Sequence, residues 1–549
     1  MSQSPSPSAP ESSPSAAPGS APAPGDKQPD SYDVLPYLSR CFAQTHPDNL
    51  AVAARLRGLQ PAPIDRCRVL ELGCAGGGNL LPLAATWPGS TFVGIDRSVV
   101  QVQQGNELVA QAGLKNIELR IADLMEFEGE PGSFDYILCH GVYSWVPEAV
   151  QARIFALCQR LLAPHGIAYI SYNTYPGFYR RQPIMEMMRY HVRALGLTKP
   201  REIVQHAREL VTFLIQSAPD SDSTTVRLLR EEAERLAKVP DSYVFHEHFE
   251  ADNRPCYFYQ FMDAASAHGL QFLDEAVAKG GAAGLPDQAQ QTLAEIAADV
   301  VRYEQYVDFI RNTAMRSTLL CRKEQALTAE PGPEVLRSLL VRCAAAPENP
   351  AELMGSRLLE DRPVKFVARV GSAQIDHPHF KALLLALYLN RPCAMTFPQL
   401  SRRTMELLGR QVPTSEIFEM ALYGHRAGIC SLHTQSPPVT QRISDKPCAS
   451  PLARVQVLHD NTVATQWHMS ATLDPLRQTL LSLLDGTRDQ AALHAALLAA
   501  IEGGTLTLPG PGGAPLLQSL GARTLSEQLR AVFLPKALAS LAELGLLVS

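Results

Sequence analysis

The sequence predicts a doubly wound, Rossmann-like α/β sheet, followed by a helical middle region and C-terminal α+β modules, for one of which a winged helix is a fitting arrangement. Three observations predict it. Short apolar runs alternate with helix-length segments between Tyr32 and Ile170, a glycine cluster interrupts the first run, and the pattern turns to amphipathic helices after Pro176.

The runs RVLELG (68–73), TFVGID (91–96), IELRIAD (117–123), FDYILCH (134–140) and GIAYISY (166–172) are too short for helices and rich in Val, Ile, Leu, Phe and Tyr. Separated by helical stretches, they read as a parallel sheet covered on both faces. From Arg181 to about Lys238 apolar residues recur three and four apart, as in VRLLREEAERLAKV, and the reading is helical. Residues 241–276 are unusually aromatic, and the later helix VRYEQYVDFIRN is expected to pack Tyr306 and Phe309 into a core. Beyond a linker near 329–335, VLRSLLVRC and PVKFVARV have strand character and precede three helical segments, an order that suits a winged helix. The final LRQTLLSLLDGTRDQAALHAALLAAI reads as two amphipathic helices, with Thr487 capping the second and Gln490 completing a capping box. The expected organisation is a disordered Ser/Pro/Ala-rich tail (1–30), a nucleoside-binding domain (31–195), a helical middle domain (196–328), a small α+β module (329–440) and a mostly helical module (441–549).

Composition excludes several classes. A formal charge of −6 carries no electrostatic footprint for nucleic acid. The 11 cysteines are scattered, odd in number and without a CxxC pair, which is the usage of reduced thiols in a cytoplasmic protein. No apolar run approaches the roughly 20 residues that span a bilayer, so no membrane span is expected. The tail has no apolar stretch of the kind a signal peptide needs.

The glycine cluster decides the chemistry. Gly73 ends the first strand, where open α/β sheets bind ligands, and the turn GCAGGGN opens a helix near Asn79. A dinucleotide fingerprint would place glycine at 75, where the chain has Ala75. Three acids point instead to a nucleoside. Glu71 lies two residues before Gly73 and can meet an amine. Asp96 ends the second strand 23 residues after Gly73, the spacing for an acid on ribose hydroxyls; the bland alternative is that Asp96 caps the helix from Ser98. Asp123 ends the third strand and can accept from an adenine amino group. In HEH (246–248) no further ligand lies nearby, and no metal site is expected.

The pattern E-x-G…GID…AD followed by FDYILCHGVYSWV resembles a class I S-adenosylmethionine-dependent methyltransferase. In finer wording, ELGCAGGGNLLPLA, YNTYPG (172–177) and EQYVDFIRNTAMRSTLLC (304–321) resemble the bacterial methyltransferases that carry a methyltransferase regulatory domain, whose characterised members methylate protein lysines. The resemblance covers roughly 32–325 and extends more weakly to the C-terminus. It implies that Gly73, Gly77 and Asn79 line the methionine end of S-adenosylmethionine, Asp96 the ribose, and Asp123 with Leu124 the adenine. It places His140 to Trp145 beside the methyl group and Tyr172, Asn173 and Tyr175 on the substrate side. The cofactor set is thus Glu71, Gly73, Gly77, Asn79, Asp96, Asp123, Leu124 and His140, and the catalytic set Tyr143, Trp145, Asn173 and Tyr175. Aromatic faces such as Tyr143, Trp145 and Tyr175 can hold an amine substrate by cation–π contact, although core packing would use the same residues. The expected partner is a protein presenting lysine, and a homodimer is allowed. Two other readings stay open: a small-molecule N- or O-methyltransferase, and a cofactor-binding regulator without turnover. Nucleic acid is disfavoured because YNTYPG is not the D/N-P-P-Y/F type of motif that positions a base amine.

Overall fold

Seven strands form one sheet: β1 (Arg68–Leu72), β2 (Thr91–Asp96), β3 (Ile117–Ile121), β4 (Phe134–Cys139), β5 (Leu162–Asn173), β6 (Leu270–Glu275) and β7 (Met315–Arg322), in the order β3-β2-β1-β4-β5-β7-β6. The structure is a computed structural model that describes residues 31–549 apart from 38, 278–284, 329–330, 354, 369–370 and 511–515; the expected tail over 1–30 lies outside the described residues. β1 to β5 run parallel. Their apolar runs follow from burial on both faces: after Arg68 every residue of β1 is buried. Val69 joins Leu138 and Tyr169 in a core under the helices Pro47–Leu56 and Leu81–Thr86. Leu70 and Leu72 face the other way, into a core with Phe155 and Phe261. The strand order reverses beside β1, with β2 on one side and β4 on the other, and such a switch point opens a crevice at the carboxyl ends of the strands.

The sheet takes in more chain than its first five strands. β6 and β7 come from the region expected to be a helical middle domain, and both pair antiparallel, β7 with β5 and β6 with β7. What stays helical there is a separate cluster of Gln182–Ala194, Pro200–Ser217, Thr224–Leu236 and Asp241–Phe249 around Met188, Val204, Leu229 and Val244. The helix Val300–Arg311 also departs from expectation, because its buried residues are Gln305, Val307 and Asp308, whereas Tyr306 and Phe309 are 37% and 47% exposed. The cause lies on β7, where Arg316 takes Asp308 at 2.7 Å and Glu304 at 3.0 Å and turns the polar face of that helix inward.

Beyond residue 330 two further cores form, the first of which also takes in Val52 from the helix Pro47–Leu56. In the first, the strand Leu340–Cys343 pairs with Met395–Thr396 and Cys430–His433, under the helices Pro378–Leu389, Phe397–Leu408 and Thr414–Arg426. In the second, helices surround a hairpin of Thr462–Ala464 and Ser470–Thr472. Its helix Gln490–Glu502 is capped by Asp489, which accepts from Ala492 N, and not by Thr487. The Thr487 amide and hydroxyl both donate to Asp485 in the preceding turn, and a carboxylate suits a helix N-terminus better. Among the described residues no helix is long and apolar enough to cross a membrane.

Candidate active site

The turn after β1 is built around backbone that side chains would obstruct. Gly73 sits at φ +75°, and a Cβ there would lie 2.4 Å from Val142 Cγ2; Gly77 sits at φ +70°, with Leu119 Cδ1 at 2.7 Å from any Cβ. Ala75 adopts a left-handed φ of +49° without being glycine, and its amide is pinned to Asp96 Oδ2 at 2.8 Å. Asp96 Oδ1 accepts from Ser98 N at 2.9 Å, while Ser98 itself caps the following helix by accepting from Gln101 N. Asp96 is therefore not the cap. It fastens the glycine turn to the end of β2 and stays half-buried at the crevice.

Glu71 and Asn79 form the inner end. Both are buried, and Asn79 Nδ2 donates to Glu71 Oε1 at 2.7 Å. Glu71 Oε2 is buried with no partner. Burial, helped by the charge of Asp96 and opposed by the Asn79 bond, raises the Glu71 carboxyl to about 8. A carboxylate oxygen left open beside a bare backbone turn fits a ligand that brings an ammonium group. At the other end Asp123 is exposed, with Oδ1 taken by Met125 N at 2.8 Å, and Leu124 packs half-buried against the core. The neighbouring Ala122 amide bonds Asp96 O at 2.9 Å, so the ends of β1, β2 and β3 border one crevice.

Three contributors escaped the sequence reading. Ser39 Oγ accepts from Gly78 N at 2.7 Å, and the Phe42 amide donates to Asn79 Oδ1 at 3.1 Å, so the segment before the first strand closes over the turn. From the C-terminal hairpin, His468 Nε2 lies 2.8 Å from Asn79 Oδ1. Since that oxygen also takes the Phe42 amide, its identity as oxygen is fixed and Nε2 is the protonated nitrogen of His468. Its Nδ1 is buried without a partner, the backbone is left-handed at φ +56°, and burial beside His46 holds the ring well below its usual pKa. No local signal marks His468; a lone histidine in a loop says nothing until the chain is folded.

On the far side of the crevice the aromatic residues divide. Tyr143 is 4% exposed and packs against Phe155, Phe261 and Tyr172, and Tyr172 stacks on Phe261 at 4.0 Å. Tyr143 and Tyr172 are thus core residues and not channel walls, because the helix Phe258–Ala267 lays Phe261 between them. Trp145 is half-buried in the short turn Tyr143–Trp145. His140 Nδ1 meets Tyr169 OH at 2.9 Å and Ser171 Oγ at 3.1 Å under the ring of Phe42, and burial lowers it to about 4. Asn173, at the end of β5, has a buried Nδ2 without a partner. Tyr175 is half-buried, accepts from Gln182 at 2.9 Å and stacks on Tyr179 at 4.0 Å. From there rings continue outward through Tyr257 to Tyr259 and Phe309, and on to Tyr306.

HEH lies elsewhere, inside the helical cluster. His246 meets Glu250 and Leu35 O, and His248 meets Glu232 and Val244 O, so all four ring nitrogens are engaged. Among the described residues His377, His379 and Glu416 bring potential ligand atoms within 4.8 Å of one another, but Glu416 already bonds His379 Nδ1.

A methyltransferase-domain model matches residues 69–166, a predicted methyltransferase regulatory domain 240–322, and the C-terminal winged helix domain of PKMT 445–546. The regulatory-domain match contains β6 and β7, and the winged-helix match falls on the last unit rather than on 329–440. The uncharacterized protein RP789 of Rickettsia prowazekii is 31% identical over 496 residues, covering 88% of each chain. RP028 of the same organism is 37% identical over 243 residues, 44% of this chain and 96% of that protein. The solved structure of PKMT2 from Rickettsia typhi in complex with AdoHcy superposes with a TM-score of 0.82 at 28% identity, covering 94% of this chain and 100% of that one.

Proposed function

This chain belongs to the family of class I S-adenosylmethionine-dependent methyltransferases that carry a methyltransferase regulatory domain, and from that premise we propose that it methylates lysine side chains of a protein. S-adenosylmethionine is the cofactor, and when bound it supplies a methyl group on a positively charged sulfur. In this reading Glu71 Oε2 takes the ammonium of the cofactor, Asp96 the ribose hydroxyls, and Asp123 with Leu124 borders the adenine. Gly73 and Gly77 leave room for the methionine end, and Asn79 holds Glu71 in place. His140, kept neutral by burial, adds no positive charge beside the sulfur.

The observation that carries the protein substrate is the open aromatic tract. It begins beside Asn173 and runs over Tyr175, Tyr257 and Phe309, with Tyr179 and Tyr259 49% and 43% exposed. A small-molecule site would enclose its ligand. An exposed run of ring faces suits a polypeptide that delivers an amine by cation–π contact, a role this reading gives to Tyr175 and to the half-buried Trp145. The attacking lysine has to lose a proton first. His140 at about 4 is too weak a base, and burial pushes the Tyr175 phenol up, which keeps it protonated. Water at the exposed mouth therefore takes the proton.

Incubating the purified chain with methyl-labelled S-adenosylmethionine and a fractionated bacterial lysate tests the proposal. Label is expected in protein, recovered as methyl-lysine after hydrolysis, and absent with Asp96→Ala. Label confined to small molecules would replace the substrate class, and cofactor binding without any transfer would favour a regulator.

A further inference from the structure

Between the strand Leu340–Cys343 and the hairpin Thr462–Thr472 lies a cavity of about 320 Å³ that shares no lining residue with the aromatic tract and is lined by Arg342, Arg391, Thr465, Trp467, Ser470 and Glu543. Among the described residues neither of its two arginines is held in an ion pair. The Arg342 guanidinium lies 4.5 Å over the Trp467 ring, its Nε is buried without a partner, and no carboxylate among the described residues pairs with it. Arg391 lies flat on Tyr388 at 3.8 Å, and its Nε is spent on Tyr388 O at 3.1 Å. Stacking occupies the faces of both guanidinium groups and leaves in-plane N–H donors for a ligand. Thr465 adds a hydroxyl, since its oxygen already accepts from Met469 N at 3.3 Å and its proton is left to donate. Against two cations stands one exposed carboxylate, Glu543.

We propose that this cavity binds a phosphate group, as the free ion or on a small molecule, and that the bound anion braces the hairpin that holds His468 against Asn79. A guanidinium removed from water without an anion is costly, and burial accordingly lowers Arg342 to about 10. The guanidinium N–H groups left over and the Thr465 O–H all donate, which matches the several acceptor oxygens of a phosphate better than the two of a carboxylate. The volume leaves room for an organic portion beyond the phosphate. The link to the cofactor turn is short. Trp467, against which Arg342 stacks, is anchored by Nε1 donating to Pro392 O at 2.9 Å, and the next residue is His468. The inference does not depend on the lysine substrate, since it concerns only the anion and cofactor binding.

Calorimetric titration of the full chain with inorganic phosphate, at ionic strength held constant with chloride, tests it. Saturable binding is expected, weakened at least tenfold in Arg342→Met and in Arg391→Met. Saturating phosphate should tighten S-adenosylhomocysteine binding severalfold in the wild type and leave it unchanged in Arg342→Met, whose basal cofactor binding also shows that it folds. Glycerol 3-phosphate distinguishes the source: tighter binding than phosphate assigns a phosphomonoester, equal binding the free ion, and both carry the proposal. No saturable phosphate binding, or binding equal in the wild type and both variants, would overturn the site. Cofactor affinity indifferent to bound phosphate would overturn the bracing.

Discussion

Burial raises the Glu71 carboxyl to about 8, and the nearby Asp96 charge adds to that, which favours the protonated form in the free protein. A cofactor ammonium placed at Oε2 reverses the balance and expels the proton. Binding S-adenosylhomocysteine at pH 7 should therefore release close to one proton, seen as a binding enthalpy that varies with the ionisation heat of the buffer. In Glu71→Gln that dependence should vanish and affinity fall, whereas a buffer-independent enthalpy in the wild type would refute the assignment. The same shift has a stability sign. A folded value above the unfolded one means the proton stabilises the fold, a contribution complete below the unfolded carboxyl value of roughly 4.5 and lost as pH rises through about 8. That Glu71, Gly73 and Asp96 meet at one crevice was legible in the sequence, because strand ends and their spacing are local. Tyr143 was not, since Phe261, more than a hundred residues later, decides which way that ring faces.

The helix Val300–Arg311 shows why an element can be recognised and still be turned the wrong way. Its apolar residues suggested a core face, but the buried side holds Gln305, Val307 and Asp308. Arg316, 3% exposed in its side chain, binds Asp308, Glu304 and Glu275 at 2.7, 3.0 and 2.8 Å, with Phe258 3.9 Å beneath it. Burial opposes the charge of the guanidinium, but its carboxylates outweigh that and raise its pKa further; burial also lifts Glu304 and Asp308 above the usual carboxylate range. This network fixes the helix on β6 and β7 and so leaves Tyr306 and Phe309 in the aromatic tract. Arg316→Met strands buried carboxylates and should cost about 3–5 kcal/mol in urea unfolding at pH 7. At pH 5 the loss should shrink, because the orphaned carboxyls take up protons. An equal loss at both pH values would show that packing, and not charge, holds the helix.

At the scale of the whole chain, the C-terminal unit reaches the glycine turn that we propose holds the cofactor. His468 reaches Asn79 across 389 residues of sequence, and nearby Gln466 accepts from Thr86 Oγ1 at 2.8 Å at the end of the first helix after the glycine turn. Such a contact has no sequence signature, because nothing local to either residue depends on the other. In the proposed reading its consequence is that the last unit tunes a site built by the first. Asn79 is the pivot: its amide nitrogen holds Glu71, and its oxygen is oriented by the Phe42 amide and the Thr45 hydroxyl on one side and by His468 on the other. Removing one donor from a buried amide oxygen that keeps two others costs about 1 kcal/mol, about fivefold in affinity. His468→Leu should thus weaken S-adenosylhomocysteine binding about fivefold. His468→Gln, whose amide nitrogen reaches about as far as Nε2, should restore most of it. A purely structural role predicts a different result, with both variants losing thermal stability together and cofactor affinity following stability. Recovery of affinity by glutamine without recovery of melting temperature separates the two, and equal affinity in all three proteins would remove His468 from the site.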